Sequence, residues 1–573
     1  MYRSARKVST RHHGYRQLAA PLLGIAGLLG LLSSPVLLAA PPVNTLPGVV
    51  DRPPIELPPV LSGERVEVPV TRPQPLPAPA TGGVTVATLN RITFGGTLLL
   101  KRKELQKVVA PFLHRPITGN DIAQMKYELT SLYYRHGYVL VKVTTPPQDL
   151  SHGVLRVIVI AGRIGDVTVH NDALSNRLAD TRLAPLRSGE VFNERTVESA
   201  LQDINDLNNI RSSVSLRPGT QTGTTDLDVR IRKSATDQDV QIFTLDNYGS
   251  KFTGKTVARL SLQKSNLLGA NETLGITARK SWDDFWAMQG DAVFPLPLRN
   301  LKLELDYLRS DNSIGDVFAA LDSSGESEVY QAALSSALVN QRQRKLVMRA
   351  GIERGNYRSL LADVPQTSDT ITKVYAEGSY TMRKSRLVSF FSLRVNRGVS
   401  ALGADDRGEA DASRLTGDPR AWTVESLLYG NFRVSDRDYV QAVVQAQHAN
   451  TVVLSSDLFT IGGYGSVRGY QPAQSTGDSG ISANLDAYRQ FPMPDHWYAQ
   501  AGPFVDYGYV HNRVAGSAPE ANLWSAGIGA EFNYRHAGKV ASKLRLDWAH
   551  PFADTHLPQV DSNTFYARFT QLF

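Results

Sequence analysis

The chain concentrates residues able to do chemistry in two places: Val467-Arg468-Gly469-Tyr470, and the alternating set Phe504, Asp506 and Gly508. The first lies inside a long Gly/Ser-rich connection running from about Thr451 to Gly480. The second alternates with Val505, Tyr507 and Tyr509, so one face of that segment is apolar and the other carries Asp506. A carboxylate on such a face wants a cationic partner, and a guanidinium fork engages a carboxylate through two parallel hydrogen bonds. The chemistry on offer is ion pairing and positioning. Bond-breaking sets are missing. There is no cysteine, the 12 histidines form no HExxH, and GYGS at 463–466 lacks the register of a GxSxG elbow. No GxxxxGK[ST] phosphate loop occurs, and spacing selects no catalytic set from the many serines and aspartates. The sequence therefore predicts no enzyme, no cofactor and no metal.

What must position these residues is a set of strands. From residue 237 to Phe573 the chain offers segment after segment with a period of two. In LKLELDY, Leu301, Leu303, Leu305 and Tyr307 oppose Lys302, Glu304 and Asp306. In ISANLDAY, Ile481, Ala483, Leu485 and Ala487 oppose Ser482, Asn484, Asp486 and Tyr488. In KLRLDW, Leu544, Leu546 and Trp548 oppose Lys543, Arg545 and Asp547. A soluble sandwich would bury the apolar faces, whereas a transmembrane barrel turns them to lipid and keeps the polar faces around a lumen. Charges such as Asp506, Lys543 and Arg545 are cheap in a wet lumen and expensive in a sandwich core. The pattern also persists to the last residue without a linker. The expected fold is a transmembrane antiparallel β-barrel of about 16 strands, at about 21 residues per strand plus loop, with short inner turns and longer outer loops.

The N-terminal part reads differently. Arg3, Arg6, Lys7, Arg11 and Arg16 precede the uncharged stretch Leu18–Ala40, which is the pattern of a signal peptide over residues 1–40. Those five charges account for most of the net +8, leaving +3, so the balance is not that of a nucleic-acid binder. Residues 41–79 hold twelve prolines, and 41–83 is read as an extended tether. Two small α+β domains follow, over 84–162 and 163–236, each in the order strand, helix, helix, strand, strand. In the first, a short helical pattern covers Lys101–Phe112. A longer one, capped by Thr118 or Asn120, runs through Tyr134 and ends at Gly137, before strands over Tyr138–Thr144 and Val154–Ile160. In the second, a strand at IGDVTV precedes a helix over Glu194–Leu207 and strands at VSLRPG and DLDVRI.

Five motifs in this order resemble the outer-membrane transporters of two-partner secretion (the TpsB family, haemolysin and filamentous haemagglutinin secretion and activation proteins). YRHGYVLVKVTTPPQDLSHGVLRVIVIAGRIGDV resembles the family's first polypeptide-transport-associated (POTRA) domain and its junction with the second. LRPGTQTGTTDLDVRI and LDNYGSKFTG resemble the end of the second POTRA domain and the entry to the barrel. GGYGSVRGY contains the VRGY loop motif, GPFVDYG the F-x-D-x-G strand motif, and the chain closes on a strand ending in Phe573.

The resemblance implies an outer-membrane pore that recognises a secreted partner in the periplasm through its POTRA domains. The partner would be exported to the cell surface or medium without nucleotide hydrolysis. The implied partners are a large client protein with an N-terminal β-helical secretion domain, outer-membrane lipids, and the barrel-assembly machinery during biogenesis. It also implies that the VRGY loop folds back into the lumen and that Arg468 meets Asp506 there, with Gly465 and Gly469 turning the backbone and Gly508 leaving room. In the wet lumen such a pair is expected to be worth little to stability. Tyr138, Pro147 and Gln148 mark a client groove, a contact between the two domains, or turn and packing positions of the first domain. Relatives often carry a plug helix, and the proline content of 41–79 argues against a regular one here. The alternatives are an outer-membrane assembly factor and a general porin-like channel.

Overall fold

The computed structural model describes residues 84–234, 239–283, 285–514, 520–536, 539–552 and 560–573. The expected signal peptide, tether and plug question, all within residues 1–83, lie outside the described residues.

The first domain has two helices. α1 (Arg102–Val109) buries Leu105 and Val109. α2 (Gly119–Arg135) buries Met125, Leu129 and Tyr133, one face at helical spacing. Thr118 caps α2 through a reciprocal box, accepting from the Asp121 amide while Asp121 accepts from its own. These helices pack on a three-stranded sheet ordered Arg91–Gly96, Val154–Ala161, Val141–Thr144. An additional two-stranded sheet, Thr85–Thr88 with Pro116–Thr118, departs from the expected element order. Its strands of four and three residues are too short to show a period in sequence, and one begins at proline.

The second domain repeats the plan. α3 (Asn176–Leu183) and α4 (Glu194–Asn205) cover a sheet ordered Arg163–Asn171, Thr224–Lys233, Ile210–Pro218. Val197, Ala200, Leu201 and Ile204 form the buried stripe of α4. Gly137 has φ 87°, and a Cβ there would lie 2.6 Å from Asn193 Oδ1, because Asn193 and Glu194 bond back to the His136 and Gly137 carbonyls. Val139 packs in the core of the second domain, so the two cores meet at this turn.

Sixteen antiparallel strands, from Val240–Asp246 to Thr564–Leu572, close into a barrel. No helix among the described residues is long and apolar enough to cross a membrane. The period-two reading sorts the faces correctly. Leu485, Val505, Leu546 and Trp548 are exposed on the outer surface, while Ser482, Asp486, Asp506 and Asp547 are buried inside. Connections at the end nearest the α+β domains are short, such as Arg342–Gln343 between strands Ser323–Gln341 and Arg344–Leu361. At the far end, 399–421 and 450–478 are long, but Arg344–Leu361 and Val364–Arg383 meet through only Ala362 and Asp363. That hairpin reaches outward by strand length instead of loop length.

The ring closes where the last strand pairs with the first over five residues, Arg568↔Asp246 to Leu572↔Ile242. Asn247 extends this seam with its side chain, donating to the Phe565 carbonyl and accepting from the Ala567 amide, both at 2.9 Å. The second domain is seated on the barrel rim: Asn340 donates to Asp203 (2.7 Å) and Asp206 (2.8 Å), and Lys345 meets Asp206 at 2.6 Å.

Candidate functional site: the arginine loop in the lumen

The connection 450–478 starts at the far end, folds into the barrel, and pairs with itself as a small hairpin, Phe459–Ile461 with Ser475–Gly477. Gly462, Gly463 and Gly469 have φ of 108°, 84° and 95°, so they make the turns that bring the tip back. Gly465 has no such conformation and nothing near its Cβ position, so the expected turn at that residue lies instead at the Gly462-Gly463 pair. Phe459, Ile461, Val467 and Tyr470 pack with Val510 and Leu523 of the wall, an apolar contact that seats the loop against one side of the lumen.

Arg468 is at the tip. Its Nε and Nη2 donate to the two oxygens of Asp506 at 2.8 and 2.7 Å, and its own amide donates to Asp506 Oδ2 at 3.0 Å. Nη1 donates to Asp486 at 2.9 Å and stands 3.7 Å from Asp547. The Phe504 ring covers the guanidinium, with Cζ 3.4 Å from the ring centroid. Asn484 donates to Asp506 at 2.9 Å, and the Ser525 hydroxyl donates to it at 3.4 Å. Arg545 holds Asp547 (Nη2 at 2.6 Å) and donates to Tyr488, which in turn donates to Asp486. Two guanidiniums therefore face three carboxylates.

The sequence led us to expect a wet ion pair, and the structure corrects that. Asp506 has no exposed surface and Arg468 is 4% exposed, because the Phe504 ring and the apolar loop contact exclude solvent. A pair in that setting is worth far more when broken by deleting one partner than an exposed pair would be.

The rest of the tip is fixed by the wall. The Gly469 amide donates to the Tyr566 hydroxyl and its carbonyl accepts from Thr564, both at 2.9 Å. Tyr470 donates to the Trp524 carbonyl at 3.0 Å. At Gly508 a Cβ would lie 2.8 Å from Val467 Cγ2, so only glycine leaves the loop its seat. Tyr464 and Gly465 line two cavities, one of about 660 Å³ toward the far end and one of about 1380 Å³ toward the α+β domains. The loop stands between them, and Arg259, Arg279 and Gln445 of the wall line both as well.

Sequence reasoning missed Asp486, Asp547, Arg545 and Tyr566 as members of this cluster. The first three stand on the polar faces of period-two strands, and that was the available signal. What sequence could not supply was the register between those strands and the place where the loop tip comes to rest against them.

The three first-domain residues fall elsewhere. Tyr138 packs edge-on against Tyr133 beside the inter-domain turn. Pro147 is exposed in the connection between the last two strands of its domain. Gln148 accepts from the Arg156 amide (2.7 Å) and donates to its carbonyl (2.9 Å), standing in for a strand partner where Val154–Ala161 extends past its neighbour. None of them approaches the lumen cluster. Among the described residues no group of three or more His, Cys, Asp or Glu could hold a metal.

Residues 223–532, more than half of the chain, match the family described as Haemolysin secretion/activation protein ShlB/FhaC/HecB. The chain belongs to this family. Residues 87–162 match the POTRA domain, ShlB-type. The Outer membrane transporter CdiB of Dickeya dadantii (strain 3937) is 25% identical over 457 residues, covering 77% of this chain and 79% of its own. CdiB of Escherichia coli O6:K15:H31 (strain 536 / UPEC) is 24% identical, covering 83% and 82%. The solved structure of CdiB from Escherichia coli shares the fold, with a TM-score of 0.72 at 20% identity over 90% of this chain and 94% of that one.

The transporter is therefore a TpsB-type secretion protein: a sixteen-stranded outer-membrane barrel with its POTRA domains in the periplasm and a secreted protein as client. Transporters of this family are non-catalytic, and the porin-like and assembly-factor alternatives fall with that membership. The rim that carries the second POTRA domain is periplasmic, and the end with the long connections is extracellular.

Proposed function

We propose that the POTRA domains take up an extended client bearing an N-terminal β-helical secretion domain, and that the barrel passes it outward once the arginine loop shifts. The observation that carries this reading is the place of the loop between the outer and inner cavities. The Arg468 loop stands between the two cavities, and its tip is anchored by one compact ion cluster whose release would free it to shift. Periplasmic uptake has support of its own. Val141–Thr144 is an outer strand of its sheet, with edge groups open to an added strand, and Ile160 of the neighbouring strand is exposed. Passage would draw on binding and on folding outside the cell, since the chain has no phosphate-binding loop.

The test is site-specific photocrosslinking in cells that export a client. Crosslinkers at Ile160 and at Gln441, which lines the inner cavity, should capture the client's N-terminal segment, Ile160 first. Normal export with no client captured at either position would refute the route. Point insertion is preferable to deleting residues 84–162, because that deletion also strips Val139 from the core of the second domain.

A further inference from the structure

Ten residues beyond Arg468, the loop ends on a second buried carboxylate that belongs to a different cluster. Asp478 has no exposed surface. Arg414, from the neighbouring extracellular connection 399–421, donates to it through Nη1 at 2.6 Å and Nη2 at 3.3 Å. The amides of Val453 (2.9 Å) and Arg513 (2.7 Å) fill the remaining sites on the two oxygens. Arg414 also donates to the Val453 carbonyl at 2.6 Å. One carboxylate thus ties together three extracellular segments and both arms of the loop's stem.

The contacts around it run the same way. Ser413 bonds Asp369 of the long hairpin and accepts from the Ser455 amide at 3.1 Å. On the descending arm, Asp457 meets Lys373 of strand Val364–Arg383 at 2.8 Å, and Lys373 also meets Glu353 at 2.9 Å. The Asp418 amide bonds the Val452 carbonyl, and Gly417 packs so closely on Leu454 that a Cβ would lie 2.7 Å from it. The connection 399–421 is therefore laid over the loop's stem and pinned there. A buried aspartate with four donors is a strong fixed point, since loss of its arginine leaves the charge held by the two backbone amides.

We propose that Asp478 and Arg414 form an outer latch on the export route, separate from the Arg468 cluster. They are positioning residues that hold 399–421 across the extracellular mouth, and the client leaves only when they part. The proposal extends the export reading above. Its first test needs no client, so the two can fail separately.

The chain contains no cysteine, so a single introduced one reports cleanly. Ser392 lines the outer cavity, and Ser392→Cys is probed on intact cells with a bulky, membrane-impermeant maleimide. Labelling should be slow in the parent and rise by about tenfold with Arg414→Met or Asp478→Asn, the change expected when a closed population is shifted by one decade. Arg414→Lys, which keeps a cation, should stay near the parent rate, a rescue that loss of bulk packing would not give. Arg468→Ala alone should also stay near it, because the outer latch remains shut. Parent-level labelling in Arg414→Met, or an equal rise in Arg468→Ala, overturns the proposal. Barrel integrity is followed by mobility on unboiled gels. As a second arm, crosslinking Ser413→Cys to Ser455→Cys should halt export until the link is reversed, and undiminished export through crosslinked chains would overturn the latch.

Discussion

Tyr464 of the arginine loop stacks on Tyr248, just past the first barrel strand, with ring centroids 3.7 Å apart and 16° between the planes. Tyr566 of the last strand stands edge-on to both, and Arg568 lies 4.2 Å over the Tyr248 ring. The loop therefore braces the seam where first and last strands pair over only five residues. Tyr464→Ala should lower the temperature at which the folded barrel loses its fast mobility on gels. An aromatic pair is worth about 0.5–1.5 kcal/mol beyond its burial, so a shift of a few degrees is expected. Tyr464→Phe should behave as the parent does. An unchanged transition in Tyr464→Ala would mean that the stack does not support the seam.

Gly508 gives a prediction of the opposite kind, an addition instead of a loss. The Cβ position there is 2.8 Å from Val467 and 3.1 Å from Ile461, so a side chain pushes the loop from its seat. Overpacking of this kind costs about 1–3 kcal/mol, and here it is borne by the loop contact and not by strand pairing. Gly508→Val should cut export severely, Gly508→Ala less so, with outer-membrane levels of both close to the parent's. Equal export by parent and Gly508→Val would show that the loop's seat is irrelevant.

The seat of the second POTRA domain should respond to pH. Burial pushes Asp203 up from 3.8 to about 6, with Asp206 nearby adding to the rise and the Asn340 amide opposing it. Arg182, Asn300, Lys302, Glu304, Lys345 and Arg349 line the same cavity. An acid whose docked value is raised stabilises docking fully below 3.8 and loses that contribution as pH climbs through about 6. Glu198, raised chiefly by burial, acts in the same sense. Asp206 is lowered, against its own burial, by Lys345 and Lys302, so its window lies below 3.8 and outside the test. The ratio of docked to undocked domain should then be about tenfold higher at pH 5 than at pH 7.5. Spin labels at Gln202→Cys and Gln343→Cys would report it as a distance distribution that broadens with rising pH. In Asp203→Asn most of that dependence should vanish, and a parent distribution that narrows at pH 7.5 would contradict the assignment.

The sequence carried the barrel because lipid outside and a polar lumen inside write a period of two that needs no alignment to see, as in Leu544, Leu546 and Trp548 against Arg545 and Asp547. It carried α2 because Thr118 and Asp121 form a local box. It was poor at whatever depends on register around the ring. Asp486, Asp506 and Asp547 lie on three strands of one sequential meander, and only the register between those strands and the inward fold of the loop put them around one guanidinium. Burial of that cluster was equally illegible, because the Phe504 ring that dries it stands two residues from Asp506 on the same face, and nothing local says that a loop will fold over it. The short pair Thr85–Thr88 and Pro116–Thr118 left no periodic trace at all.

The central claim is that Arg468 and Asp506 act as one unit in export, and a double-mutant cycle on client secretion tests it most directly. Removing Arg468 leaves Asp506 buried without its cation, a loss of about 3–5 kcal/mol in loop docking by the measure of broken buried pairs. Asp506→Ala removes the bidentate acceptor but leaves Asp486 and Asp547 to hold the arginine, so it should be the milder single change. Export of a client by Arg468→Ala, Asp506→Ala and the double variant is measured against outer-membrane levels of each. The account predicts a sharp fall in Arg468→Ala and a double variant little worse than that single one. Independent, multiplicative defects in the two single variants, or full export by Arg468→Ala, would contradict it.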